Sequence, residues 1–388
     1  MTACIVGWGH TRFGKLDGQD LEELIVAASV EAIADAGLEP GDIDRIFIGN
    51  FNGGLNDQDF LASLVLQADP ALRFKPATRV ENACATGSAA VHQGITALAA
   101  RQARFVLAVG VEKMTHAPTD VVGDILLRAS YRREEHFGAG GFAAVFDRIA
   151  ETYFQRHGDQ SDALAMIAAK NHKNGAVNPL AHMQKDLGYA FCREVSEKNP
   201  IVVGRLKRTD CSMVSDGAAA LVLTDVQTAL GMKKAVAFRS IAQVNDFLPM
   251  SRRDVVAFEG PGLAWKQALD EAGLAVTDLN FVETHDCFTI AELIEYESMG
   301  LTPVGQGARA IREGWTEIGG RLPVNPSGGL KAKGHPIGAT GVSMHVMAAR
   351  QLCNTADKMQ VKNARLGGVF NMGGAAVANY VSILEALR

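Results

Sequence analysis

The sequence predicts an α/β protein made of two related halves. Along its 388 residues, stretches with the apolar spacing of helices alternate with short apolar strands, and 40 glycines mark the turns between them. The stretch 22–48 is echoed at 258–284, where Ala-Gly-Leu at 36–38 is matched by Ala-Gly-Leu at 272–274. Each copy reads as an amphipathic helix, a glycine stop, a short loop and a strand. This repetition predicts two α/β units related by a pseudo-two-fold axis, with a site where they meet.

A second echo follows the first. Cys84-Ala-Thr-Gly opens an apolar, glycine-containing helix and then a strand, and Gly338-Ala-Thr-Gly does the same in the second half. We therefore predict an N-terminal half at 1–232 and a C-terminal half at 233–388. The first half is longer because of a polar, weakly periodic stretch at about 113–205. We interpret this stretch as an inserted loop domain that covers a site or builds an interface.

Composition argues against several classes of function. The chain is 47% hydrophobic and 21% charged with a net charge of −5, which favours an ordinary globular protein and disfavours nucleic acid or an anionic membrane as a partner. No basic region followed by an apolar one opens the chain, so we expect no signal peptide and a cytoplasmic protein. The cysteines are far apart in sequence and form no Cys-x-x-Cys pair, so we expect neither a metal site nor disulfides. They are Cys4, Cys84, Cys192, Cys211, Cys287 and Cys353.

Cys84 lies where a strand-like "ATRVEN" runs into the helical "ATGSAAVHQGITALAARQ". A helix N-terminus carries free backbone N–H groups and the positive end of the helix dipole. In such positions the thiol pKa falls to roughly 3.5–7.5, so we expect a thiolate at neutral pH. The competing interpretation is a buried structural cysteine, which is the commoner role of cysteine.

His335 lies in a glycine-rich loop, "NPSGGLKAKGHPIGATG" at 325–341, that opens the second copy of the same helix. If the two copies face each other, His335 reaches Cys84 across their junction. A cysteine with a histidine in reach is the activated nucleophile of acyl transfer. The alternative is a solvated loop histidine, but a histidine that repeats the local architecture of the cysteine favours a site.

These motifs give the whole chain a resemblance to the thiolase family. "NACATGSAAV" resembles the family's nucleophile motif, "NPSGGLKAKGHPIGATG" its Gly-His-Pro motif, and "SDGAAALVL" the strand after its loop domain. "HDCF" at 285–288 resembles the sterol-carrier-protein-type thiolases, where other thiolases carry Asn-Glu-Ala-Phe. The resemblance implies a five-layered α-β-α-β-α arrangement of two duplicated mixed-sheet halves with an inserted loop domain.

The resemblance also implies roles for individual residues. Cys84 is expected to be the nucleophile and His335 its base. The family's second catalytic cysteine is absent, since Asn371 stands in its place, and Cys287 is expected to replace it as acid and base. His285 is expected to take the place of the family's asparagine and, with His335, to hold the thioester oxygen.

The backbone N–H groups of Cys84 and Gly373 are expected to hold the second oxyanion, at C3. Phe288 is predicted to wall the acyl pocket and Ser215 to lie near pantetheine. The basic stretch "GRLKRTD" offers three side chains for the coenzyme A phosphates, although such a stretch is more often a solvated face. They are Arg205, Lys207 and Arg208.

Thr289 and Glu292 have the spacing of a capping box for the helix that follows. Asp286 is expected to orient that turn without a chemical role.

The predicted function is CoA-dependent cleavage of a 3-ketoacyl-CoA to acetyl-CoA and a shortened acyl-CoA, or the reverse Claisen condensation, through an acyl-Cys84 intermediate. Coenzyme A and acyl-CoA are expected as substrates, without a permanently bound cofactor, and the protein is expected to be a homodimer or homotetramer. One alternative is a condensing enzyme of the ketoacyl-synthase or hydroxymethylglutaryl-CoA-synthase type. The other is a thiolase-like scaffold that binds acyl-CoA without turnover, and only the missing C-terminal cysteine supports it.

Overall fold

A computed structural model describes residues 3–135 and 140–387 of the chain. The strands are β1 Cys4–His10, β2 Arg45–Gly49, β3 Ala77–Val80, β4 Phe105–Glu112, β5 Ile201–Val203, β6 Leu206–Lys207, β7 Gly217–Thr224, β8 Val236–Asn245, β9 Phe281–Glu283, β10 Leu366–Gly373 and β11 Ala378–Ala386. The helices are α1 Leu21–Asp35, α2 Leu61–Leu64, α3 Thr86–Ala99, α4 Thr119–Leu126, α5 Phe142–His157, α6 Ser161–Gly175, α7 Gly188–Arg193, α8 Val226–Ala229, α9 Glu259–Ala272, α10 Thr289–Ser298, α11 Gly307–Arg312, α12 Gly329–Ala332 and α13 Ile337–Leu352.

The main sheet repeats one strand pattern on both sides of its centre. Its order is β3-β2-β4-β7-β1-β8-β11-β10-β9. At the centre β1 pairs antiparallel with β8, with Cys4 opposite Ala237. Going outward, β7 and β11 are each antiparallel to their outer neighbour, and the next pair on each side is parallel. The predicted duplication therefore appears as a symmetric arrangement of four strands on each side, with β3 as an additional edge strand in the first half. The boundary at 232/233 falls between α8 and β8 and stays a prediction.

Helices occupy three layers around the two halves of this sheet. α1 packs on β1 and β7, α9 packs on β8 and β11, and α3 and α13 lie together between the halves. β4 and β7 read as unbroken apolar runs and are buried at every position, because helices cover both of their faces. The order of layers is α-β-α-β-α, which is the fold class that the sequence predicted.

The two central helices cross at glycines. A Cβ added to Gly87 of α3 would lie 2.7 Å from the backbone nitrogens of Gly341 and Val342 in α13. A side chain at this crossing would force the helices apart, so glycine is required for the close approach. The contact brings the N-termini of α3 and α13 together, and both predicted catalytic motifs end at these N-termini.

The described part of the predicted insertion forms four helices, α4 to α7, and the strand β5. α6 packs against α10 and α12, and Met114, Val122 and Phe142 from the same segment line a cavity above Cys84. The insertion therefore supplies one wall of that cavity. Within the described ranges, no helix has the length and apolar character needed to cross a membrane.

Candidate active site

A tight turn between β3 and α3 presents Cys84. Ala83 adopts a φ of 49°, a left-handed conformation that costs about 1–3 kcal/mol for a residue with a side chain. The turn is held by the Asn82 N–H, which donates to Thr86 Oγ1 at 2.8 Å, and by the Ala85 N–H, which donates to the Asn82 carbonyl at 3.1 Å. These bonds fix the position of the sulfur where the sheet meets the central helix layer.

The two loops that carry the histidines are joined by buried polar contacts. Each contact links "ETHDCF" at 283–288 to the loop at 325–341. They are Ser327 Oγ to Glu283 at 2.6 Å, the Thr284 N–H to Asn325 Oδ1 at 2.8 Å, and the Leu330 N–H to Asp286 at 2.6 Å. These contacts hold His285 and His335 in one rigid unit, and Asp286 orients the turn as predicted.

Cys84, His285 and His335 meet at the junction of the halves. The sulfur and one ring nitrogen from each histidine lie within 4.8 Å of one another. The two imidazole centroids are 5.1 Å apart with the rings near perpendicular, and all three residues are buried. Zinc also accepts a Cys-His-His set of ligands. The spacing of the cysteines could not reveal this candidate metal set, because its three residues lie far apart in the sequence.

His335 is oriented as a base. Its Nδ1 lies 2.7 Å from Thr340 Oγ1, and that hydroxyl donates to the Pro336 carbonyl at 2.9 Å. The hydroxyl therefore accepts from Nδ1–H, which leaves a lone pair on Nε2. Burial, and after it the charge of Lys333, lower the pKa of His335 to about 3. The imidazole is therefore neutral at physiological pH and can take a proton.

The expectation of a resting Cys84 thiolate is wrong. Burial raises the pKa of Cys84 to about 12, although the N–H of Gly374 points at the sulfur and opposes the increase. Here the loss of hydration has a larger effect on the thiol pKa than the helix N-terminus. A thiolate in a dry site loses more hydration free energy than its hydrogen bonds to free N–H groups restore. The N–H group that faces the sulfur belongs to Gly374 and not to the predicted Gly373. Gly373 instead pairs with Ala378 in the sheet.

Cys287 lines the same cavity as Cys84. Its N–H donates to the His285 carbonyl at 2.9 Å, and its own carbonyl accepts from the Ser212 N–H at 2.8 Å. Burial, followed by the nearby Cys84, raises the pKa of Cys287 well above its usual value. Cys287 is therefore a protonated thiol beside the nucleophile, which is the form required of an acid.

Asn371 is the residue that sequence reasoning missed. Its Nδ2 lies 3.1 Å from the Cys84 carbonyl and 2.9 Å from His285 Nδ1, so one amide bridges the two halves of the site. The sequence identified this position only as the place of a missing cysteine. The asparagine in place of the family's cysteine was the signal that could have indicated a role, because a buried polar side chain in a catalytic position needs hydrogen-bond partners.

The cavity above the sulfur has a volume of about 240 Å³ and a mostly apolar lining. Phe288 lines it and stacks on Phe146 with centroids 4.4 Å apart, and its role as a wall of the acyl pocket stays a prediction. The prediction for Ser215 is wrong, because Ser215 is fully buried outside the lining and bonds His182 at 2.8 Å. Ser212, three residues earlier, lines the cavity instead.

Two further expectations are wrong. Lys207 is 5% exposed and its ammonium group binds Asp210 at 2.7 Å, so it is not available to a phosphate. Thr289 does not cap α10, because its hydroxyl donates to Asp210 at 3.0 Å. Its supposed capping partner, Glu292, instead pairs with the buried Lys170 at 2.9 Å. Core polar contacts override the local capping pattern here.

Arg205 and Arg208 are exposed, and Arg205 makes an ion pair with Glu151 at 2.5 Å. Both side chains are exposed, so both arginines stay predictions for the coenzyme A phosphates.

Comparison with known proteins agrees with this geometry. The thiolase N-terminal domain matches residues 3–191, and the thiolase C-terminal domain-like family matches residues 242–386. The chain is 36% identical to an acetyl-CoA acetyltransferase of Methanothermobacter thermautotrophicus, over 98% of both chains. It is 31% identical to human sterol carrier protein 2, over 96% of this chain and 70% of that protein. The solved Ltp2-ChsH2(DUF35) aldolase superimposes on the whole chain, and on 98% of its own, with a TM-score of 0.85 at 25% identity.

Both halves thus match thiolase domains, and full-length relatives share a third of the sequence. A cysteine, two histidines and a second cysteine gather where the halves meet. The chain belongs to the thiolase family and is a thiolase-type acyltransferase.

Proposed function

We propose that the protein cleaves 3-ketoacyl-CoA with coenzyme A, or runs the reverse condensation, through an acyl group on Cys84. The observation that carries this proposal is the grouping of three chemically distinct roles around one cavity. Cys84 supplies a nucleophile, the Nε2 lone pair of His335 a base, and the protonated Cys287 an acid. Carbon–carbon cleavage next to a thioester needs all three.

The first half of the reaction forms the acyl enzyme. His335 Nε2 takes the proton of the Cys84 thiol as the sulfur attacks the C3 ketone. The backbone N–H groups of Cys84 and Gly374 hold the resulting oxyanion, and the direction of the Gly374 N–H toward the sulfur supports this role. Collapse breaks the C2–C3 bond and leaves an acyl-Cys84 and the enolate of acetyl-CoA. The Cys287 thiol then protonates C2.

The second half returns every group to its starting state. The Cys287 thiolate takes the proton of incoming coenzyme A, and the coenzyme A sulfur attacks the acyl-Cys84. The released Cys84 thiolate recovers its proton from the His335 imidazolium. This cycle starts from a neutral Cys84 thiol and a neutral His335 imidazole. Burial favours these neutral forms over a resting thiolate–imidazolium pair.

Coenzyme A and acyl-CoA are the proposed substrates, in lipid metabolism. The apolar lining is consistent with an acyl chain, and the exposed Arg205 and Arg208 are candidate phosphate contacts. We further propose a cytoplasmic homodimer or homotetramer.

The alternatives predict different fates for Cys84. A binding scaffold would leave Cys84 unmodified. Such a scaffold does not require an acid and a base at the same cavity. A ketoacyl-synthase-like or hydroxymethylglutaryl-CoA-synthase-like enzyme would acylate Cys84 but would not thiolyse acetoacetyl-CoA. An aldol-type cleavage, the reaction class named for the superimposed aldolase, would break a carbon–carbon bond without an acyl-cysteine.

Incubation with acetyl-CoA, followed by peptide mass spectrometry, tests the proposal. We expect an acetyl group on Cys84, none in Cys84→Ala, and unchanged labelling in Cys211→Ala, because Cys211 lines the same cavity without a histidine partner in the cluster. Thiolysis of acetoacetyl-CoA and of a longer 3-ketoacyl-CoA then separates a thiolase from a condensing enzyme. Labelling of a different cysteine with Cys84 free contradicts the mechanism.

A further inference from the structure

Asn371 occupies an unusual position for an asparagine. It is fully buried at the centre of the site, and one nitrogen atom contacts both the nucleophile's backbone and a catalytic histidine. We propose that Asn371 is a positioning residue that fixes His285 as an N–H donor to the enolate oxygen. This inference rests on the proposed function, because an enolate forms only if the C2–C3 bond is cleaved or made.

The orientation of the Asn371 amide follows from its neighbours. The Cys84 carbonyl oxygen can only accept a hydrogen bond, so the amide atom 3.1 Å from it must be the NH₂ nitrogen. The opposite orientation would set two acceptor oxygens against each other in a dry interior. Among the described residues the Asn371 carbonyl oxygen has no partner. The chain tolerates that cost to keep the nitrogen in place.

The orientation of the amide decides the tautomer of His285. The same NH₂ nitrogen lies 2.9 Å from His285 Nδ1, so Nδ1 accepts and carries a lone pair. A neutral imidazole with a lone pair on Nδ1 carries its proton on Nε2. Burial, the neighbouring His335 and Lys333 all lower the pKa of His285, which keeps the ring neutral. His285 therefore presents an Nε2–H and His335 an Nε2 lone pair, so the two histidines hold opposite tautomers.

The Nε2–H of His285 is available to substrate. The residue is fully buried, and within 3–135 and 140–387 its Nε2 has no hydrogen-bond partner. A buried donor without a partner costs roughly 1–3 kcal/mol, so its retention beside Cys84 and His335 indicates a ligand. An enolate oxygen is an anionic acceptor that gains most from such a fixed donor. The same tautomer argues against zinc, because Nε2 of His285 carries a proton and its Nδ1 lone pair accepts from Asn371, which leaves only Cys84 and His335 with free lone pairs for a metal.

Asn371→Asp tests the inference with almost no change in shape. A carboxylate only accepts, so at pH 8 Nδ1 of His285 takes the proton and Nε2 loses it. We expect kcat for C2 proton exchange of acetyl-CoA to fall about 10²–10³-fold, as when an oxyanion donor is removed, with KM little changed. Lowering the pH adds one proton to the new carboxyl–imidazole pair and restores Nε2–H. The activity of Asn371→Asp relative to wild type should therefore rise as the pH falls from 8 to 5.5.

Asn371→Ala is the matched control. It removes the donor without adding an acceptor, so its activity should fall with no recovery at low pH. Melting curves and iodoacetamide labelling of Cys84 show whether each variant keeps the rest of the site folded. A loss in Asn371→Asp that does not depend on pH, or full activity at pH 8, overturns the inference.

A second measurement does not depend on turnover. Ring ¹⁵N spectra of histidine-labelled protein, with His285 assigned from a His285→Gln variant, report which ring nitrogen carries the proton. We expect the proton on Nε2 in wild type and on Nδ1 in Asn371→Asp at pH 8. A wild-type proton on Nδ1 refutes this inference. Absence of an acetyl-Cys84 adduct refutes the proposed function instead, so the two failures are distinguishable.

Discussion

Replacing Thr340 by valine should reduce activity without disturbing the fold. The Thr340 hydroxyl accepts from Nδ1–H of His335 and donates to the Pro336 carbonyl. Valine has nearly the same shape but no hydroxyl. The Pro336 carbonyl still accepts from the backbone N–H groups of Ala339 and Thr340, at 3.0 and 2.9 Å, so the start of α13 keeps its bonds.

The expected loss follows from the hydrogen bond that is removed. A buried N–H left without a partner costs about 1–3 kcal/mol. In Thr340→Val the His335 tautomer with a proton on Nδ1 carries that cost, so the ring favours the tautomer with a proton on Nε2. The latter cannot take a proton from Cys84. Since each 1.36 kcal/mol is tenfold in rate, we expect kcat/KM for thiolysis to fall about 5- to 150-fold.

Thr340→Ser is the matched control, because serine keeps the hydroxyl and loses only a methyl group. We expect Thr340→Ser to stay within a few fold of wild type and both variants to melt near the wild-type temperature. Thiolysis is followed by loss of the acetoacetyl-CoA enolate absorbance, and Cys84 acylation by mass spectrometry. Equal activity in the valine and serine variants would refute the assignment of His335 Nε2 as the base.

Three more predictions follow from the site and its support. Cys287→Ala should abolish thiolysis and C2 proton exchange together while Cys84 still reacts with iodoacetamide; retained exchange would assign the C2 chemistry to another group. Because burial lowers the pKa of His335 to about 3, the neutral base persists in acid, and the single-turnover rate of Cys84 acylation by acetoacetyl-CoA should be nearly flat from pH 7 to pH 5. A histidine with the ordinary pKa of about 6.5 would be about 76% neutral at pH 7 and only about 3% neutral at pH 5, so a fall of about 25-fold would contradict the assignment. Lys170→Met should destabilise the protein by about 3–5 kcal/mol in urea unfolding, because the Glu292 carboxylate then remains buried without the ammonium group that pairs with its charge. Lys173→Met breaks only an exposed pair with Glu317 and should leave the unfolding midpoint unchanged, and equal effects of the two changes would show that the buried pair is not special.

The sequence predicted the parts of the fold that depend on local pattern. The repeat around Ala-Gly-Leu, the strand before Cys84 and the glycine-rich loop before His335 all rest on periodicity or on turn chemistry. The helices of the insertion were missed, since their apolar spacing is weak. α6, for example, is stabilised by buried polar contacts such as Lys170 with Glu292, and these pair residues more than a hundred positions apart.

Within the site, residue types were more predictable than their electrostatic state. Cys84 and His335 could be identified from motifs, but the pKa of the thiol depends on burial, which a helix-end argument does not contain. The errors for Lys207 and Ser215 have the same origin. Each is a polar residue near the site in sequence, and each points into the core to bind another polar side chain. Asn371 could not be assigned a role, because its partners lie 287 and 86 residues away.

The reaction depends on how α3 and α13 are aligned where they cross. The two helices come from segments that lie far apart in the sequence. Cys84 belongs to one helix start, whereas His335 and its companion His285 belong to the other piece. A slip of one residue along a helix moves side chains by about 1.5 Å, and an error of about 1 Å in a reacting geometry can reduce a rate about a hundredfold. The close contact between Gly87 and Gly341 therefore sets the distance between the nucleophile and the base. Enlarging either glycine should misalign chemistry that the altered residue never touches.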